Sequence, residues 1–336
     1  MKKTLSILVS MLLVATLLCG CVGTTVVNCT CSDGGSTYVP KAGEVKTGLA
    51  VLTDVTSADG KITYTLLMAA VAVDDEGVIA DCVIDGISAD VAIADITANW
   101  TKEVKTKNEL GDSYGMVAWG GAKYEWNQQA ENFANYVKGK TVAQVKGIAV
   151  SESGKPADSD LAASVTIAIG DFMEVVEKAV TNAAYRGADS ADALILAATP
   201  ALSGAGATTE AKGNVQLDMD ITALTRKDGV ITSCIIDAVQ AKVEFDGDGK
   251  VTTDLSADFK SKNELGKDYG MVAWGGAKYE WNQQAENFAN YVKGKTAAEV
   301  TGIAVGEGGK PDDVDLSASV TIAIGGFKTL VEKAMK

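Results

Sequence analysis

The chain says almost the same thing twice. YGMVAWGGAKYEWNQQAENFANYVKGKT, residues 114–141, recurs without a change at 269–296. KNELG stands at 107–111 and again at 262–266. Upstream, GVIADCVIDG at 77–86 is answered by GVITSCIIDA at 229–238, so Cys82 and Cys234 are equivalent. A period this long describes tandem globular units, since solenoid repeats run about 20–50 residues. The length of 336 residues suits two domains of ordinary size. The repeat places them at 45–183 and 190–336, with 184–213 as the join and the start of the second copy.

Each copy reads as α+β, a small mixed sheet with helices. NVQLDMDITAL (214–224) alternates apolar and polar residues, the period of a half-buried strand. KDG reads as a turn and VITSCIIDAV as the returning strand, and the first copy has the same hairpin around DDEG (74–77). NQQAENFANYVKG places Ala130, Phe133, Ala134 and Val137 at helical spacing, with Gly139 as the stop. SVTIAIG is β-branched and strand-like, and GDFMEVVEKAV and GGFKTLVEKAM read as amphipathic closing helices.

The first residues, MKKTLSILVSMLLVATLLCGC, combine a basic start, an apolar run from Leu5 to Leu18 and a small-residue end. The run is short for a membrane span and has the flanks of an export signal. Leu18-Cys19-Gly20-Cys21 resembles the bacterial lipoprotein lipobox. That resemblance implies a signal peptide over 1–20, a lipid on the sulfur of Cys21, and a protein held at the outer face of the cytoplasmic membrane. Residues 22–48 are rich in Gly, Ser and Thr, and 21–44 is expected to be a flexible tether. Cys29 and Cys31 lie in it, and their state is left open; an exported location permits disulfides.

Histidine is absent. This removes Ser-His-Asp and Cys-His catalysis, HExxH zinc sites and His-ligated haem. The formal charge of −14 makes nucleic acid a poor partner. No metal-ligand spacing stands out; DGDGK (246–250) lacks the downstream glutamate of a calcium loop and reads as a turn. Cys82 and Cys234 sit inside apparent strands and read as buried, inert thiols.

Two stretches carry candidate chemistry. In the first copy Asp158 is followed by Leu161, Ala162, Ala163, Ser164, Val165 and Thr166; in the second Asp313 is followed by Leu316, Ser317, Ala318, Ser319, Val320 and Thr321. This pattern resembles the attachment motif of covalently flavinylated bacterial proteins, in which a flavin transferase of the ApbE type esterifies the phosphate of FMN to the last threonine. The resemblance implies two covalent FMN groups, as phosphoesters on Thr166 and Thr321. Asp158 and Asp313 match the motif acid, and Ala163-Ser164 and Ala318-Ser319 its centre. Leu161 and Leu316 stand where the motif has Ser or Thr, and Ala162 and Ser317 where it has Gly. With the lipobox and the tandem copies, the chain resembles the PplA-like secreted flavoproteins of extracellular electron transfer more closely than the flavinylated sodium-pump subunits. That implies FMN-binding-type domains, a quinol-linked membrane donor, and outside acceptors such as ferric iron. An electron carrier needs no classical catalytic residue.

The second stretch is aromatic. Trp119, Tyr124 and Trp126, with Trp274, Tyr279 and Trp281, could wall a flavin ring, and Gly120-Gly121 and Gly275-Gly276 would let backbone amides approach it. Core filling is the competing expectation for the same residues. Lys107, Asn108 and Glu109, with Lys262, Asn263 and Glu264, could flank the cofactor, though a solvated loop is the plainer expectation. Two other functions fit the same sequence. One is a surface binding module for a small molecule or sugar through two aromatic clefts. The other is an envelope repeat protein with no ligand.

Overall fold

The computed structural model describes residues 39–336; the leader, Cys21, Cys29, Cys31 and most of the tether lie outside them. The first copy builds strands β1 (Glu44–Ala58), β2 (Lys61–Val73), β3 (Ile79–Ala92) and β4 (Trp100–Glu103). Helices α1 (Lys107–Leu110), α2 (Trp126–Val137), α3 (Val142–Lys146), α4 (Ser159–Ala162) and α5 (Gly170–Thr181) follow. β5 (Ala184–Asp189) lies in the join, and the second copy builds β6 (Ala193–Ala205), β7 (Gly213–Lys227) and β8 (Val230–Phe245). It continues with α6 (Lys262–Leu265), α7 (Trp281–Val292), α8 (Ala297–Thr301), α9 (Val314–Ser317) and α10 (Gly325–Met335). The architecture is α+β. Since β1 starts at Glu44, the end of the Gly/Ser/Thr-rich stretch, up to Gly48, is strand.

The strands fold as long hairpins because two-residue turns join them. Asp59-Gly60, between β1 and β2, has φ of 52° and 71°; Asp228-Gly229, between β7 and β8, has 51° and 80°. Positive φ at both central residues is the turn whose twist matches antiparallel strands, and Asp-Gly is its favoured sequence. Both sheets are antiparallel, in the orders β3-β2-β1-β5 and β4-β6-β7-β8. One edge strand crosses between the copies. β4 of the first pairs with β6 of the second (Trp100 opposite Gly204), and β5, in the join, pairs with β1 (Glu44 opposite Asp189).

The two sheets bury one core between them. Leu49, Val51, Tyr64, Leu66 and Met68 share it with Leu217, Met219, Ile221, Val239 and Val243. Tyr64 is fully buried, and its hydroxyl donates to the carbonyl of Val215 on the opposite sheet at 3.1 Å. The outer faces are covered by helices. Val71, Ile79 and Cys82 meet Trp126, Phe133, Val137 and Phe172; Ile231, Cys234 and Ile236 meet Trp281, Phe288, Val292 and Phe327. The result is a four-layer α/β/β/α arrangement, and Pro40–Lys336 forms one compact unit. The expected helical face of α2 is buried, and the chain leaves that helix through Gly139 at φ 77°. No helix among the described residues is long and apolar enough to cross a membrane.

Candidate functional site

Helix α2 begins the site. Its N-cap is Glu125, whose carboxylate accepts from the N–H groups of Met116 (2.8 Å) and Val117 (3.0 Å), tying loop 115–124 to the helix start. Gln128 completes a capping box by accepting from the Glu125 N–H at 3.0 Å. One turn in, Gln129 is fully buried. Its amide donates to the Tyr124 carbonyl (2.9 Å), and its oxygen accepts from both the N–H (2.8 Å) and the hydroxyl (3.2 Å) of Thr166. Lys123 donates from the same loop to the carbonyl of Ala163 at 3.2 Å. The second copy repeats this with Glu280, Gln284, Lys278 and Thr321.

The threonine segment is not the strand its composition suggests. Asp158 caps the one-turn helix α4, its carboxylate accepting from the N–H groups of Asp160 and Leu161 at 3.1 and 3.0 Å. Residues 163–169 then run as an irregular link into α5. β-Branched residues favour a strand only where a ladder partner exists. Here the Thr166 N–H is taken by Gln129, and the Ile169 N–H by the Gly154 carbonyl. Val165 and Ile169 still fill the core. Asp313 caps α9, its carboxylate accepting from the Leu316 N–H at 2.9 Å. The motif acids, Asp158 and Asp313, therefore shape the turn before each threonine. Ala163 and Ala318 are exposed, while Ser164 and Ser319 are half-buried with hydroxyls 3.4 Å from the carbonyls of Leu161 and Leu316. Thr166 and Thr321 are themselves half-buried.

The aromatics divide. Trp126 and Trp281 are only 6% exposed and stand edge-on to Phe172 and Phe327 at 5.6 Å, inside the helix–sheet core. Trp119 and Trp274 are 88% and 84% exposed. Each indole lies across a glycine at positive φ, Gly115 (83°) or Gly270 (81°), where a Cβ would come within 2.1 or 2.4 Å of the ring. A larger residue there would be strained at that φ and would have to push the indole aside. Tyr124 and Tyr279 are half-buried, with Lys123 and Lys278 amines 4.9 Å from their ring centres.

KNEL is not a solvated loop. Thr106 and Ser261 cap α1 and α6 in full capping boxes with Glu109 and Glu264. Lys107 is buried, its amine 4.7 Å from the Trp126 ring centre and 5.1 Å from that of Tyr114. Burial lowers this amine to about 8, the nearby Asp85 acting in the opposite direction. Asp85 accepts from the N–H groups of Gly86 (2.7 Å) and Asn108 (3.0 Å), and burial raises its carboxyl to about 6. Asp237 makes the same bonds to Ala238 and Asn263 and is raised to about 6 for the same reason. A charged residue inside an apolar strand run, VIDG or IIDA, is the sequence signal for these two acids. Gln129 and Gln284 carry no such signal beyond lying in the repeated helix. Cys82 and Cys234 are free, buried thiols pushed by burial to about 12 and about 11.

The copies are cross-braced. Lys178 of α5 pairs with Glu264 at 2.7 Å, and Lys333 of α10 pairs with Glu109, so each closing helix holds the capping box of the other copy. Thr166 and Thr321 are thus each held by the glutamine in the first turn of an α2-type helix, with a lysine donating to the alanine carbonyl three residues before, in a frame reinforced by the twin copy. Compared with protein-family models, curated proteins and solved structures, the chain finds no match in any of the three.

Proposed function

We propose that this protein is an extracytoplasmic, lipid-anchored electron carrier with FMN esterified to Thr166 and Thr321. The observation that supports it most is the duplicated setting of the two hydroxyls. Each is half-buried on an irregular segment and donates to a neutral side-chain carbonyl, that of Gln129 or Gln284. Esterification removes that one hydroxyl bond and leaves the stronger backbone bond to the same glutamine, so the segment keeps its place. Lys123 and Lys278, three residues of backbone from the ester, bring positive charge toward a phosphate. Trp119 and Trp274 offer open ring faces for stacking, about 0.5–1.5 kcal/mol beyond burial. Bound FMN supplies reversible electron uptake and release; the chain orients it. Covalent attachment holds the cofactor where free FMN would be diluted away. The donor in this reading is a quinol-linked membrane protein, and the acceptors are outside oxidants such as ferric iron.

A second reading rests on the same exposed indoles. Trp119 and Trp274, exposed on glycine-backed loops, would also serve a surface lipoprotein that stacks on sugars or other small molecules.

Intact-protein mass decides between them, on chain coexpressed in an exporting host with an active flavin transferase. The first reading expects a gain of two FMN less two waters, one FMN less one water in Thr166→Ala or Thr321→Ala, and none in the double variant. An unmodified mass, with a control protein flavinylated in parallel, would overturn it and leave the indoles as a reversible site.

A further inference from the structure

We propose that the open groove between β3 and α2 docks an extended, arginine-bearing segment of a partner protein. The second copy shows how such a groove is filled. β5 pairs with β1 through Lys46 opposite Tyr185 and Thr47 opposite Ala184, and it lies beside β8. Its Arg186 pairs with Glu286 of α7 at 3.2 Å, and Lys293, just past that helix, donates to the Arg186 carbonyl at 3.3 Å. One carboxylate and one amine of the helix therefore hold the strand.

The first copy presents the same two holders. α2 repeats α7 residue for residue, and Glu131 and Lys138 stand where Glu286 and Lys293 stand. A cavity of about 360 Å³ lies between this helix and β3. Register locates the matching strand edge. Val71 lies opposite Gly48 and Cys82, and Leu224 opposite Ile195 and Cys234. Lys46 and Thr47, which β5 pairs with, thus correspond to Ala193 and Leu194 of β6. β6 packs against β3 as β1 packs against β8. β4 pairs with β6 only at Ala201–Gly204, so on that side Ala193 and Leu194 meet no strand among the described residues. An unpaired strand edge is a template for an added strand.

The charges choose the occupant. The ionised side chains lining the cavity are Asp81, Glu131 and Lys138. Asp81 stands where the second copy has Ser233, and it pairs with Lys138 at 2.7 Å. Glu131 is exposed and has no partner among the described residues. The groove therefore keeps one uncompensated negative charge, on the carboxylate whose counterpart takes an arginine. This chain cannot supply that arginine. Its two arginines are both engaged, Arg186 with Glu286 and Arg226 with the Met335 carbonyl at 2.5 Å. A second copy would have to open its own seam to offer one, so the fitting occupant is a different protein.

The test is backbone NMR of the purified, isotope-labelled full-length chain, titrated with the peptide AAYRGAD, the sequence of residues 183–189. Shifts are expected in 79–84, 127–138 and 193–195, and not in the counterparts 231–236 and 282–293, where β5 already lies. Glu131→Gln should weaken binding about three-fold, the scale of an exposed ion pair, and Glu131→Lys should abolish it. Glu286→Gln should leave it unchanged. The peptide carrying Arg186→Glu should not bind. No shifts at millimolar peptide, equal shifts from a scrambled peptide of the same composition, or binding that survives Glu131→Lys would each overturn the proposal. A dimer that forms without peptide and dissociates on Glu131→Lys would also overturn it, by giving the groove to a second copy.

Discussion

The shared core makes a demanding prediction at Tyr64. Its ring is fully buried on the first sheet, and its hydroxyl reaches the Val215 carbonyl on the second. Tyr64→Phe deletes one buried hydrogen bond and keeps the ring, a loss of about 1–2 kcal/mol. Tyr64→Ala also removes the ring and opens a cavity between the sheets, about 3–5 kcal/mol. Both losses fall on a core lined by both copies, so they must be felt by both. Urea unfolding should show one transition in the parent chain, and the midpoint should fall in the order Phe, then Ala, with the slope unchanged. Hydrogen exchange localises the effect: amides of β7 and β8 should lose as much protection as those of β2. Two transitions, with only one moved by Tyr64→Ala and β7–β8 protection intact, would refute the shared core and leave two independent domains.

Other consequences can be checked separately. Gln129→Leu strips the Thr166 N–H and the Tyr124 carbonyl of their buried partner, about 2–4 kcal/mol locally; exchange should quicken across 163–169 while 318–324 stays protected. Asp85 and Asp237 are raised from 3.8 to about 6, so the folded state holds protons that the unfolded state releases between those values, and stability falls as pH rises through that window. Each contributes about 3 kcal/mol of loss by neutral pH; Asp85→Asn, which keeps an acceptor for Gly86 and Asn108, should remove about half of the loss from pH 4 to 7 in denaturant titrations, Asp237 keeping the rest. Gly326→Asp should destabilise by about 1–2 kcal/mol, because its Cβ would stand 2.8 Å from an Asp220 carboxylate oxygen, and adding Asp220→Leu should restore the loss.

Much of this fold is legible in the sequence. The alternation in 214–224, the Asp-Gly turns and the apolar stripe of α2 each report a local rule that the structure obeys. Trp126 belongs to that stripe too: with Ala130, Phe133 and Val137 it recurs every three or four residues, the spacing of a buried face. Trp119 has no such companions, and it is the exposed one. What local reading misses is set by partners distant in sequence. SVTIAIG has strand chemistry, but the partner of Thr166 is a glutamine side chain rather than a neighbouring strand. KNEL is polar, but its capping box and the ring of Trp126 bury Lys107. The shared core is invisible because a strand with two buried faces reads the same whether the second cover is a helix or another sheet.

The pattern of identity between the copies follows from the same geometry. The network of the repeated segment closes largely within one copy: Glu125 to its loop, Gln129 to Tyr124 and Thr166, Lys123 to Ala163. Nothing in it requires the twin to differ. The sheets face each other, and there complementarity replaces identity. Tyr64, opposite Ala89 on β3, holds the register place that Leu217 holds opposite Ala241 on β8. Leu67, opposite Gly86, corresponds to Asp220, opposite Ala238, and that exchange is matched across the sheet–helix boundary. In the first copy the leucine faces a cavity with Asp171 in the first turn of α5; in the second the aspartate lies against Gly326 in the first turn of α10. Either way one carboxylate stands at the start of the closing helix, where the helix dipole favours negative charge. Different residues on different elements supply the same charge at the same place, so the requirement there falls on the local field and the available space rather than on any one side chain.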